Sequence, residues 1–168
     1  LEAPGEFAGP VVVEGASIAA SEDGKQLGAL CVDRDTGELV HSVTVFEPQR
    51  VLEIHENNTY ASPTPVIEEG RVYVHYGRYG TACLDTNSGE VLWRNTELVI
   101  EHQGGPGSSP VLFEDLLIVN CDGADEQYVV GLEKDSGRVR WRRDRSAPCR
   151  SNPIFKRAFS TPLVVEVD

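Results

Sequence analysis

The chain lacks methionine, lacks any Cys-x-x-Cys spacing, and lacks an apolar run long enough to cross a membrane. Without paired cysteine spacing a structural zinc site is disfavoured. No cationic-then-apolar leader is present, so the compartment is not legible from a targeting segment. Basic residues are also scarce: 15 Lys and Arg against 27 Asp and Glu leave a net charge of −12. Nucleic-acid binding needs a concentrated positive surface, so a phosphate-backbone partner is excluded. The one basic cluster, Arg138, Arg140, Arg142, Arg143 and Arg145, interleaves with Val139 and Trp141. Strand pleating would put Arg138, Arg140 and Arg142 on one solvated face. Helical periodicity with its caps is missing throughout, which disfavours a helical or leucine-rich solenoid.

What is present is a repeat. Asp85-Thr86-Asn87-Ser88-Gly89-Glu90-Val91-Leu92-Trp93 recurs as Glu133-Lys134-Asp135-Ser136-Gly137-Arg138-Val139-Arg140-Trp141. An earlier copy, Asp33-Arg34-Asp35-Thr36-Gly37-Glu38-Leu39-Val40-His41, ends on histidine instead of tryptophan. Prolines opening apolar runs recur at Pro10, Pro65, Pro110 and Pro162. Both markers give a period of roughly 50 residues, as a propeller blade requires. The expected units are 1–48, 49–98 and 99–148, with 149–168 beginning a fourth.

Within the second unit, Pro65-Val66-Ile67, Arg71 to Tyr76, Thr81 to Asp85 and Glu90 to Arg94 read as four antiparallel strands separated by glycine turns. The expected fold is all-β: a β-propeller fragment of about three four-stranded blades plus the first strand of another. Blades that do not close a ring leave sheet faces bare, so further blades of the same polypeptide are expected to cover them.

Cys83-Leu84-Asp85-Thr86-Asn87-Ser88-Gly89-Glu90-Val91-Leu92-Trp93 resembles the Ala-x-Asp-x-x-x-Gly-x-x-x-Trp signature of pyrroloquinoline-quinone-type repeats. Such repeats build the propellers of quinoprotein alcohol dehydrogenases and of the assembly lipoprotein BamB. The resemblance implies blade-docking roles for Asp85, Gly89, Trp93, Gly137 and Trp141, and a periplasmic, secreted or cell-surface setting. Cys31 and Cys83 fall where the family has a small alanine, so they read as small buried residues. Cys121 and Cys149 have no support for pairing.

Polar residues cluster in the loops entering each proline strand: His55, Asn57 and Asn58; His102, Ser108 and Ser109; Arg150 and Asn152. These loops are expected to share one end of the propeller channel, where the eight residues would form a ligand site. Local backbone bonding is the plainer use of the hydroxyls. His75, inside a strand, and His41, at the tryptophan position, are expected to pack or face solvent. Asp33, Asp85 and Glu133 recur once per turn and read as turn acids. The acids around Asp122-Gly123-Ala124-Asp125-Glu126 lack calcium-loop spacing and read as a hairpin turn.

The expected function is a non-catalytic binding or scaffolding module, with no cofactor and no metal, whose partner is a protein or a small polar ligand. The alternative is part of a quinone-dependent alcohol or sugar dehydrogenase using pyrroloquinoline quinone and calcium. The resemblance would then ask for an adjacent cysteine pair, and none occurs.

Overall fold

The computed structural model describes residues 11–14, 20–21, 24–146 and 151–167. Apart from two single-turn 3-10 helices, all regular structure among these residues is β. The strands are β1 (Val11–Glu14), β2 (Ala20–Ser21), β3 (Gly24–Lys25), β4 (Leu27–Val32) and β5 (Leu39–Phe46). They continue as β6 (Val66–Glu68), β7 (Arg71–His75), β8 (Thr81–Asp85) and β9 (Val91–Asn95), then β10 (Val111–Phe113), β11 (Leu116–Asp122), β12 (Gln127–Glu133) and β13 (Val139–Asp144). Sheets β6-β7-β8-β9 and β10-β11-β12-β13 are four-stranded antiparallel meanders, while β1-β4-β5 is three-stranded and β2-β3 a small hairpin.

The pleat explains how three sheets share two cores. Successive side chains of a strand point to opposite faces. From β7 and β8, Val72, Val74, Ala82 and Leu84 join Leu27, Ala29, Val45 and Phe46 of the first sheet. Their neighbours Tyr73 and Cys83 join Leu117, Val119, Val130 and Leu132 of the third. The middle sheet is therefore apolar on both faces.

Each repeated acid closes a turn. Asp85 Oδ1 accepts from the amides of Asn87 (2.9 Å) and Ser88 (2.8 Å) and from the Ser88 hydroxyl (3.1 Å). Asp33 does the same with Asp35 and Thr36. These amide bonds hold both carboxyls below the usual carboxylate range. Glu133, one methylene longer, accepts the Ser136 hydroxyl at 2.7 Å and pairs with Arg138. Gly89 and Gly137 take φ of 73° and 68°, where a side chain is strained.

The rings after the first two turns reach the turn of the following sheet. Trp93 Nε1 donates to Lys134 O at 2.7 Å, and the indole lies so close over Gly137 that a Cβ there would collide with it. Asn95 Nδ2 donates to Gly137 O at 2.7 Å, and Lys134 Nζ pairs with Glu68 at 2.5 Å. One sheet earlier, His41 takes the tryptophan's place. Its Nε2 lies 3.0 Å from Asn87 O, which assigns the proton to Nε2, and its ring sits over Gly89. Trp141 stays on its own sheet, half-buried over Gly131, where a Cβ would come within 2.5 Å of the ring.

Two strand assignments differ from the sequence reading. Val11 pairs with Val32 in β4, just as Arg71 pairs with Asp85 in β8. The run after Pro10 is thus the second strand of its sheet, not an opener, and no counterpart of β6 lies among the described residues. A proline before β-branched residues looks alike at either position, and only the ladder partner separates them. The run after Pro162 forms no strand, and Leu163 and Val165 are exposed. A single segment without the rest of its sheet has no ladder to join.

Trp93→Ala should lower unfolding stability by about 3–5 kcal/mol by emptying the site between the second and third sheets. Gly137→Ala, which adds overpacking to positive-φ strain, should cost about 2–5 kcal/mol. Gly37→Ala shares the positive φ but meets nothing within 4 Å, so it should cost only about 1–2 kcal/mol. Urea titration of the three variants checks that order, and equal losses at the two glycines would remove the indole from the account.

Candidate functional site

The loops joining the sheets, 47–65, 96–110 and the described part of 145–162, meet at one end of the molecule. Thr64 N donates to Ser109 Oγ (2.8 Å), and Ser109 N donates to Thr161 Oγ1 (3.2 Å). Thr64, Ser109 and Thr161 each precede a proline, so equivalent residues of successive units are linked hand to tail. The bond holds Thr161, although the run after Pro162 joins no ladder. Ser108 Oγ and Asn120 Nδ2 both donate to Ser160 O, at 2.8 and 2.7 Å.

Most of the residues singled out in the sequence are used within these loops. Asn58 Nδ2 donates to Gly104 O (2.6 Å) and Pro106 O (2.9 Å), tying the first loop to the second. Asn152 Oδ1 accepts from Ile154 N at 3.0 Å and starts a 3-10 turn. His55 and Asn57 are exposed on the first loop, and His55 Nδ1 accepts from Asn57 N at 3.3 Å. Arg150 and Cys149 lie outside the described residues.

His102 is the unusual group. Both ring nitrogens are buried without a hydrogen-bond partner, and burial lowers its pKa. Phe159 packs edge-on against it at 4.8 Å. Beside it is a cavity of about 20 Å³ lined by His75, Ser108, Asn120 and Asp122, large enough for one water. His75 is buried with Nδ1 2.8 Å from Thr81 Oγ1, and burial lowers its pKa to about 4. Asp122, also buried, is held by Nε (3.1 Å) and Nη2 of Arg145.

A second, open hollow of about 710 Å³ runs between 53–58 and 154–159. Its walls include Ile54, Ile154 and Phe159 together with His55, Asn57 and Arg157. Sequence reading found His55, Asn57 and Asn58 but missed Ile54, Arg157 and Phe159, which carry no motif. The available signal was glycine: a Cβ at Gly107 or Gly104 would lie 2.5 or 3.0 Å from the Phe159 ring. Among the described residues no three His, Cys, Asp or Glu side chains converge on a metal-sized site.

The pattern of docked sheets can be set beside known proteins. The family described as outer membrane protein assembly factor BamB matches residues 2–167. The chain belongs to this family. BamB from Moraxella catarrhalis superposes with a TM-score of 0.59 at 18% identity, over 93% of this chain and 45% of that one. A europium-containing methanol dehydrogenase gives 0.53 at 15% identity, over 72% and 22%. A quinohemoprotein alcohol dehydrogenase from Comamonas testosteroni gives 0.50 at 15%, over 72% and 19%. This BamB-family chain therefore spans less than half of each structure, and likeness at these identities establishes the propeller fold alone. No curated protein matches the sequence. Among the described residues no helix is long and apolar enough to cross a membrane.

The buried His75 sets a pH dependence. Its folded pKa of about 4 lies below its ordinary 6.5, so the unfolded chain binds the proton first and stability falls as pH drops from about 6.5 to about 4. The full loss is on the order of 3 kcal/mol. Denaturant titrations between those pH values should show a clearly shallower slope in His75→Asn than in wild type. Parallel slopes would mean that His75 is not held neutral.

Proposed function

We propose that this chain is a non-catalytic binding or scaffolding part of a β-propeller that offers its loop end to a protein partner. The observation that carries the reading is how the polar loop residues are used. Asn58, Ser108 and Ser109 spend their side chains on fixing neighbouring loops. The surface left between the loops is a shaped groove with apolar and polar walls. A fixed surface with a few unspent polar groups suits recognition. The family's association with outer-membrane assembly supports a protein partner over a small polar ligand, and a periplasmic, secreted or cell-surface setting.

The quinone-dehydrogenase alternative receives no comparable support. Cys31, Cys83 and Cys121 are buried on separate sheets, and no two cysteines are adjacent. Burial raises the Cys83 and Cys121 thiols to about 12, as expected of packing residues. Trp93 is engaged at a sheet junction, so it is not free to floor a quinone. Among the described residues no set of donors for pyrroloquinoline quinone and calcium is assembled.

A photo-crosslinking residue at Ile154, in cells that make the protein, should give a discrete adduct with one protein. The same residue at Leu92, exposed on an outer strand, should not. An equal adduct pattern at both positions would overturn the loop-end reading, as would dye-linked alcohol oxidation on adding the quinone and calcium.

A further inference from the structure

The groove between 53–58 and 154–159 has a chemical bias beyond its shape. Arg157 is half-buried in its wall and makes no hydrogen bond or ion pair with any described residue. In a chain carrying 27 acids against 15 Lys and Arg, a guanidinium without a partner among the described residues is a scarce group, and its planar fork matches a carboxylate. Around it lie Ile54, Ile154 and Phe159, the last two 55% and 53% exposed. Asn57 and Gln103 add side-chain amides with no described partner, suited to a peptide backbone. The hollow, about 710 Å³, is within the range of ligand pockets.

The floor is fixed before any ligand arrives. Gly105 meets Ile54, with a Cβ placed 2.6 Å from its Cδ1, and Gly104 and Gly107 seat the Phe159 ring. Two walls from loops far apart in sequence are thereby held at a set width. Glu53 stands in the same groove and, with the net charge of −12, repels a run of acids. The charge pattern selects a ligand with one carboxylate next to a large apolar side chain. A chain terminus ending in such a residue carries both on a single residue.

We propose that this groove captures the free C-terminus of a partner polypeptide ending in a large apolar residue, its carboxylate on Arg157 and its side chain against Ile54, Ile154 and Phe159. The inference rests on the binding reading above and gives its loop end a ligand chemistry.

The test uses acetyl-Gly-Ser-Gly-Leu-Phe with a free carboxylate and the same peptide as its C-terminal amide, titrated into the isotopically labelled protein by NMR. The acid should shift amides of 53–58, 103–104 and 154–159, and the amide should bind at least tenfold more weakly. Arg157→Gln should reduce the acid to the level of the amide, and Arg157→Lys should keep part of the difference. Unchanged signals from the sheets in both variants would show that the fold is intact. Equal binding of both peptides in the groove would overturn the carboxylate assignment while leaving a loop-end binding surface standing. Shifts elsewhere, or none with either peptide at millimolar concentration, would overturn the groove itself. The Ile154 crosslink is read independently of either result.

Discussion

A sheet has two faces, and the middle sheet of this protein buries both. That constraint governs the rest. Tyr73 and Cys83 must meet the third sheet while Val72, Val74 and Leu84 meet the first, so neither core forms unless the neighbouring sheet is at a fixed distance. The turn signature sets that distance. The acid and hydroxyl close the turn, glycine removes the Cβ that would hold a ring away, and the ring after the turn reaches across to the next sheet's glycine. Trp93 over Gly137 and His41 over Gly89 are the same contact made with different rings. The imidazole covers less area and bonds one residue further along its turn, at Asn87, where the indole bonds Lys134.

The loop end inherits its geometry from this stacking. Because the second and third sheets are spaced by the Trp93 contact, Thr64 and Ser109 fall one hydrogen bond apart, and Ser109 makes the same bond to Thr161. The loops above them are then close enough for Asn58 to bridge to Gly104 and Pro106. The groove is the space left over, and its width follows from the scaffold rather than from the groove residues themselves.

Much of the fold was legible because its determinants are local. An acid, a hydroxyl and a glycine within five residues specify a turn by their own chemistry, and alternation marks the strands that follow. The place of a strand within its sheet was least legible where local chemistry is degenerate. Pro10 and Pro162 precede β-branched or apolar runs just as Pro65 does, and the ladder that distinguishes them depends on residues such as Val32 far along the chain. The site was less legible for the same reason. His55, Asn58 and His102 stand out by type, yet the bond from Asn58 and the contact between His102 and Phe159 span dozens of residues. Arg157, Ile54 and Ile154 carry no signature at all, since their role arises only when two loops face each other.

The central claim, that neighbouring sheets are stable only as a docked stack, is most directly tested by native-state amide hydrogen exchange across β7, β8, β11 and β12. Docking through Trp93 predicts that these amides share one opening free energy and one dependence on denaturant. Separate, lower-energy opening of the third sheet while the second stays protected would contradict it.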